Sequence, residues 1–334
     1  MRRRSLLIAV PAGLVTLAAC GDDDSGSSSN ASDSASPEPS GTSAAPAPKI
    51  VDGPLPAITA GTKFDEKPTV AKGSGEPSKD LAVKTVIAGG GKAVAENDFV
   101  SANYLGQIWQ SAKVFDNSYD RKTPLVIQLA QGSIIDGWRY ALTGKKTGSR
   151  VQFSVPPTWG YGQQGNEQAG IKGDDTLVFV VDVQDTFNAR SSAEGEKVAQ
   201  DDAALPKVGT NTDGKAPSIE VPDGAAPKKL VAEYVLEGDG AEVGAQDSVL
   251  VQYKGVLWDG GKEFDSTYAR KQLTSFSLQQ VVKGWAQGLT GKKVGSRVLV
   301  VIPPDLGYGD NPPQGSDIKK DSTLVFSVDI LAKM

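Results

Sequence analysis

A chain of 334 residues has room for about two domains of ordinary size, and 39% hydrophobic with 22% charged residues is enough for packed cores. The formal net charge of −5 argues against nucleic acid as a partner, because that affinity needs clustered Lys and Arg. No histidine is present, which excludes His-based acid–base catalysis, Ser-His-Asp triads and His-ligated metal centres, and the single cysteine, Cys20, leaves no intramolecular disulfide. Neither a metal nor a cofactor is expected.

The N-terminus reads as a targeting segment over residues 1–19. Arg2, Arg3 and Arg4 precede the apolar run 6–19, which is too short and too interrupted by Gly and Pro for an ordinary transmembrane helix. It ends in Leu17-Ala18-Ala19-Cys20-Gly21, which resembles a bacterial lipobox and so implies cleavage before Cys20 and a diacylglyceryl group on its sulfur. The alternative is a plain secretory signal in which Cys20 is incidental. Arg3-Arg4-Ser5-Leu6-Leu7 is also compatible with twin-arginine export. Residues 20–63 open on a stretch of Ser, Ala, Asp, Pro and Gly with almost no large apolar side chain, and read as a disordered tether. The expected location is the extracytoplasmic face of a bacterial membrane, reached through the lipid anchor.

A long internal repeat follows. Residues 137–162 align without gaps to 284–309, with 16 of 26 positions identical, and 175–183 match 322–330. Residues 97–109 match a segment in which Trp258 stands where Trp109 does. The strings Lys113-Val-Phe-Asp-Asn-Ser-Tyr-Asp-Arg121 and Lys262-Glu-Phe-Asp-Ser-Thr-Tyr-Ala-Arg270 belong to the same duplication. Two copies of about 120 residues fit two domains rather than a solenoid. The expected division is domain 1 over 64–187, a linker over 188–213 and domain 2 over 214–334.

Within each copy the pattern predicts short strands, glycine-bearing turns and one short helix. Residues 81–87 and 230–236 alternate as half-buried strands, and 125–129, 150–155 and 176–183 are also strand-like. Residues 133–144 predict the helix, with Ser133 as N-cap, Gly144 as stop, and Ile134, Ile135, Trp138 and Leu142 along one face. The fold class is α+β: an antiparallel sheet wrapped over one helix, twice.

No dinucleotide or phosphate loop is present. What recurs is an ordered aromatic set: Tyr104, Phe115, Trp138, Tyr161 and Phe179 in copy one, and Tyr253, Phe264, Trp285, Tyr308 and Phe326 in copy two. Any one of these is readily explained as core. Their recurrence as a set beside Asp116 with Arg121, and Asp265 with Arg270, points to a site. The alternative for the Asp–Arg pairs is a solvated surface ion pair of little energetic weight.

Taken together, the Phe-Asp pairs, the Gly-Tyr-Gly and Thr-Leu-Val-Phe strings and the aromatic order closely resemble the FKBP family of peptidyl-prolyl cis-trans isomerases, over roughly 80–187 and 228–332. The resemblance implies two half-barrels, each an antiparallel sheet around a short helix with a proline pocket between them. It implies Trp138 and Trp285 as pocket floors, and Tyr104, Phe115, Phe179 and Tyr253, Phe264, Phe326 as walls. Asp116 and Asp265 would form the rim, tied to Tyr104 and Tyr253 and to Arg121 and Arg270. The Tyr161 and Tyr308 hydroxyls, with backbone N–H groups near Ile134 and Ile135 or Val281 and Val282, would hold substrate carbonyls, and Ile171 and Ile318 would close the loop side. The implied partners are proline-containing polypeptides, exported ones given the leader, with macrolides as further ligands. An isomerase makes and breaks no bond, so the missing histidine is no obstacle. A non-catalytic, proline-binding chaperone or docking lipoprotein is the alternative function. A purely structural duplicated domain is another.

Two departures from the family stand out. The strand after the Arg carries Leu125 in copy one and Thr274 in copy two where family members place an aromatic, so copy one is expected to be the more complete pocket. Copy two is also two residues shorter between Phe264 and Trp285 than copy one between Phe115 and Trp138.

Overall fold

The computed structural model describes residues 47–334; the leader, the lipobox and Cys20 lie outside the described residues. Copy one is built on a seven-stranded sheet. Its strands are β1 (Ile50–Val51), β4 (Leu81–Ile87), β5 (Phe99–Ile108), β6 (Val114–Asn117), β7 (Leu125–Gln128), β8 (Arg150–Val155) and β9 (Leu177–Phe187), while β2 (Ile58–Ala60) and β3 (Thr69–Val70) form a separate hairpin. The order is β1-β4-β8-β9-β5-β6, and β7 also pairs with β5. All pairings are antiparallel except β1 with β4. One edge of β5 serves two strands. Its first half takes β7 (Ala102 opposite Leu125) and its second half β6 (Gly106 opposite Asp116), because residues 118–124 leave the edge as a short excursion.

Copy two has the same order with β10 (Glu196–Lys197), β13 (Val231–Glu237), β14 (Ser248–Leu257), β15 (Glu263–Ser266), β16 (Thr274–Ser277), β17 (Arg297–Ile302) and β18 (Leu324–Lys333), as β10-β13-β17-β18-β14-β15 with β16 on β14, but its edge strand β10 is antiparallel to β13. Its separate hairpin is β11 (Lys207–Val208) with β12 (Ile219–Glu220). The helix across the sheet is α1 (Asp136–Leu142) in copy one and α3 (Lys283–Leu289) in copy two; α2 (Thr267–Arg270) is the single turn at the end of the Phe-Asp string. The α+β half-barrel expected from the repeat is therefore present twice.

The helix is shorter than the apolar pattern suggests. Its N-cap is Ile135, not Ser133, and Ser133 instead donates its backbone N–H to Ala130 in a turn. Helical spacing over residues 133–135 came from side chains that pack on the core from an extended approach, so periodicity overran the first turn.

Each sheet is buried on both faces. Along β9, Leu177, Phe179, Val181 and Val183 face the helix, while Val178 and Val180 join Val70, Leu105 and Trp109 in a second cluster outside. That explains why 176–183 is a nearly continuous apolar run. The outer cover is the segment upstream of each copy. Residues 49–63, expected as tether, contribute β1 and β2, and residues 193–213, within the expected linker, contribute β10 and β11. Their isolated apolar residues, Ile58 and Val70 or Leu205, Val208 and Ile219, are too sparse to show a period, and the face they complete is supplied by the sheet. The Trp109 indole donates to the Gly75 carbonyl at 3.2 Å, and Trp258 to Gly224 at 3.1 Å, pinning each cover where it leaves the sheet.

A buried ion pair ties cover to sheet in each copy. Arg150 and Asp182 have fully buried side chains and are bonded at 2.7 and 2.6 Å, as are Arg297 and Asp329 at 2.6 and 2.7 Å. The remaining guanidinium protons go to cover carbonyls: Gly61 and Glu66 in copy one, Gly209 and Asn211 in copy two.

The copies meet through Phe99, Val126 and Phe187 of the first and Leu250, Leu273, Leu331 and Ala332 of the second. At the matching positions copy two has Ser248, Ser275 and Met334, and copy one has Ser101, Pro124, Gln184 and Asp185. Each copy is thus apolar only on the side it uses. Leu250→Asp is expected to part the two domains while leaving each folded, seen as a larger radius of gyration in small-angle X-ray scattering. An unchanged radius would contradict a seam held by these side chains.

Candidate active site

The concave side of each sheet holds the recurring aromatics in one cluster. In copy one β5 brings Tyr104, β6 brings Phe115, β9 brings Phe179 and α1 brings Trp138. The Trp138 ring meets Tyr104 and Phe179 edge-to-face with centroids 5.4 Å apart in both pairs, and Phe115 meets Phe179 at 5.7 Å. In copy two Trp285 lies 5.3 Å from both Tyr253 and Phe326, and Phe264 lies 5.4 Å from Phe326. Such edge-to-face packing fixes the rings relative to one another. Ile134, Ile135, Tyr161 and Ile171 pack on the first cluster, and Val281, Val282, Tyr308 and Ile318 on the second.

Gly106 and Gly255 let these walls close. A Cβ on Gly106 would stand 2.6 Å from the Phe115 ring and 2.9 Å from Phe179, and one on Gly255 would stand 2.8 Å from both Phe264 and Phe326. Only a residue without a side chain allows both rings to lie over the strand at that point.

The rim is a three-cornered set of hydrogen bonds. The Tyr104 hydroxyl donates to Asp116, Arg121 donates to the same carboxylate, and a second Arg121 nitrogen donates to the Tyr104 oxygen at 3.1 Å. Tyr253, Asp265 and Arg270 repeat it, with the last bond at 3.0 Å. Each guanidinium also sits 5.7 Å from the tyrosine ring centre. The pairs are therefore not free surface ion pairs, since each is fastened to a buried phenol.

The string around each Asp is built to make that corner. In the first copy, Ser118 accepts the Tyr104 backbone N–H at 2.9 Å and donates to Asn103 at 2.7 Å. Thr267 accepts the Tyr253 N–H at 2.8 Å. The chain then turns through Tyr119–Arg121 or α2 and ends on a left-handed residue, Lys122 or Lys271, which sends the Arg back toward the Asp. The intervening tyrosine points the other way. Tyr119 donates to the buried Asp182 at 2.8 Å, and Tyr268 to Asp329 at 3.1 Å. One turn thus joins the rim to the buried ion pair beneath.

Several of these residues were not singled out from the sequence. The Arg150–Asp182 and Arg297–Asp329 pairs recur at the same separation inside otherwise apolar strands, a charge in a hydrophobic run that could have flagged them. Phe276 on β16 lies two residues beyond Thr274, at the position Ile127 takes in copy one. It packs on Trp285 at 5.4 Å and Tyr253 at 6.0 Å, so the second pocket does not lack an aromatic on this strand. In copy one the extra ring is Phe153 on β8, 5.9 Å from Trp138 and fully buried.

Burial pushes the Tyr253 hydroxyl up to about 12, aided by the Asp265 carboxylate it bonds and opposed by Arg270. Tyr104 is raised for the same reasons, and Tyr119 and Tyr268 by burial and the buried aspartates. Burial also raises Tyr161 and Tyr308. Raised phenols stabilise the native state below pH 10. Above pH 10 the unfolded chain sheds protons that the folded chain keeps, so stability falls as pH rises through 10 toward 12. Urea unfolding at pH 7, 9 and 11 should show this fall, and phenolate absorbance of the native protein at pH 11 should report fewer than its eight tyrosines. Equal stability at pH 9 and 11 would overturn it.

Among the described residues no group of three or more His, Cys, Asp or Glu is placed to hold a metal ion. Fold and site together define a duplicated half-barrel with an aromatic cluster and a tyrosine–carboxylate–guanidinium set in each copy. A family model described as FKBP-type peptidyl-prolyl cis-trans isomerase matches residues 90–184 and again 240–331. The chain belongs to that family and carries its domain twice. It is similar to a probable FK506-binding protein of Corynebacterium glutamicum, with 41% identity over 117 residues, 35% of this chain and 97% of that protein. An FK506-binding protein of Streptomyces anulatus is 39% identical over 118 residues, covering 35% and 95%. An FKBP-type peptidyl-prolyl cis-trans isomerase of Escherichia coli is 35% identical over 183 residues, covering 49% and 66%.

Proposed function

We propose that both domains of this peptidyl-prolyl isomerase rotate X–Pro bonds, and that the chain does so on exported polypeptides while anchored through a lipid on Cys20. The observation that carries the catalytic reading is the presence of the whole set, aromatics, rim and flanking tyrosine, in both copies. The bond to be rotated has a barrier of about 18–20 kcal/mol and turns over in tens to hundreds of seconds unaided. In the twisted transition state amide resonance is lost and the carbonyl oxygen is less negative. A dry aromatic pocket therefore favours the twisted state over the planar, more polar one.

Trp138 and Trp285 are the floors on which the proline ring would sit, with the named aromatics as walls. The Ile135 and Val282 backbone N–H groups find no acceptor among the described residues, which leaves them free for a substrate carbonyl. The Tyr161 and Tyr308 hydroxyls are half-buried at the other side of the pocket and suit a second carbonyl. Holding both carbonyls orients the peptide for rotation. A macrolide that fills the pocket would compete with substrate.

Exchange spectroscopy of an Ala-Pro peptide tests the activity: the chain should accelerate cis–trans exchange and a macrolide should suppress it. A chain that binds the peptide without accelerating exchange is a holding protein instead. For the anchor, wild-type protein expressed in a bacterium should partition into detergent, and Cys20→Ser should remain aqueous. Partition of both into water would remove the anchor from the proposal.

A further inference from the structure

The two pockets are built from the same residues, yet their borders carry opposite charge at one point. Directly after Ile135, whose N–H has no backbone acceptor among the described residues, copy one has Asp136; directly after Val282, copy two has Lys283. The surroundings reinforce the difference. In copy one Arg139 lies 3.1 Å from Asp136 and 3.9 Å from Glu96, so two carboxylates share one guanidinium and the corner is net negative. In copy two Ala286 replaces Arg139 and Ala245 replaces Glu96, so exposed Lys283 has no ion pair among the described residues and the corner is net positive. Beside the opposite tyrosine the bias runs the other way: Asp305 and Asp310 flank Tyr308, where Thr158 and Gln163 flank Tyr161. Farther along that loop Glu167 of copy one matches Gln314.

We infer that Asp136 and Lys283 set opposite charge preferences in the two domains, so that domain 1 favours substrates with a basic residue, and domain 2 an acidic residue, on the side of the proline whose carbonyl meets Ile135 or Val282. This rests on the proposed reading of the pockets as isomerase sites. It gives the duplication a use: a chain with two complementary preferences acts on a wider range of proline sequences than one with two identical pockets. Two unit charges about 6 Å apart in a water-like medium change a rate constant about threefold, so each domain should prefer one charge over the other by roughly tenfold, in opposite senses. The preference should fade as salt shortens the screening length.

The test uses the full chain with one pocket disabled, Phe264→Ala to read domain 1 and Phe115→Ala to read domain 2. Blocked peptides centred on Ala-Pro carry Lys, Glu or Gln either before the Ala or after the Pro, and exchange spectroscopy gives kcat/KM at low and high salt. For one of the two placements, domain 1 should rank Lys above Glu and domain 2 Glu above Lys. Asp136→Lys and Lys283→Asp should each invert their own domain, and Asp136→Asn and Lys283→Gln should flatten it if the reversals fail to fold. The same ranking in both domains at both placements, or a ranking unmoved by the neutral variants, overturns the inference while leaving activity on the Gln peptides intact. No acceleration of the Gln peptides sinks the isomerase reading itself, and the charge preference with it.

Discussion

Asp182→Ala should cost domain 1 about 3–5 kcal/mol, because it leaves the Arg150 guanidinium buried without its counter-charge. Native domains hold only about 5–15 kcal/mol in total, so the variant should be largely unfolded at moderate urea while domain 2 unfolds as before. The loss reaches beyond the pair. Asp182 also accepts the Asp65 backbone N–H at 2.7 Å and the Tyr119 hydroxyl at 2.8 Å, so its removal frees both the outer cover and the rim turn. Asp329→Ala should do the same in domain 2, where the carboxylate accepts from Ala193 and Tyr268. Replacing Arg150 and Asp182 together by Met and Leu should recover most of the stability, since it is the lone charge that is costly. A single-variant loss under about 1 kcal/mol in tryptophan-monitored urea unfolding would mean that water reaches the pair.

The second large effect is on activity. Phe115→Ala removes one wall of the first pocket, and with it about 2–3 kcal/mol of apolar contact with the twisted proline, a fall in that domain's kcat/KM of about 30- to 150-fold. In the full chain the second pocket masks most of this, so the single variant should keep the share contributed by domain 2. Phe264→Ala should keep the share of domain 1. The double variant should approach the uncatalysed exchange rate, with both domains folded by circular dichroism. If either single variant already abolishes acceleration, only one pocket works and the proposal of two active domains fails. Phe276 packs on Trp285 at the position where copy one has Ile127.

Much of the site was legible because pocket residues in a duplicated domain recur together. Tyr104, Phe115, Trp138, Tyr161 and Phe179 each have a partner at fixed spacing in copy two, and the structure gathers both sets on one concave face. The rim was legible as a three-cornered set through the family resemblance, and pairing of β5 with β6 is what brings Tyr104, a strand residue upstream, beside Asp116. Phe276 shows a different limit. β7 and β16 keep the same register, so Phe276 opposite Val249 stands where Ile127 stands opposite Val100, and only the packing on Trp285 shows that this position faces the aromatic cluster.

By itself the sequence determined that the domain is duplicated, that its aromatics recur at fixed spacing, and that no histidine is available for acid–base chemistry, since composition and spacing are properties of the chain alone. Tertiary structure decided what covers the outer faces, where the buried Arg–Asp pairs anchor that cover, and which sides of the two copies meet. Those outcomes rest on contacts between segments far apart in sequence, each made by a few apolar or charged residues too scattered to show a period. Only once the sheet has formed do Ile58, Leu205 or Leu250 acquire a surface to bury against.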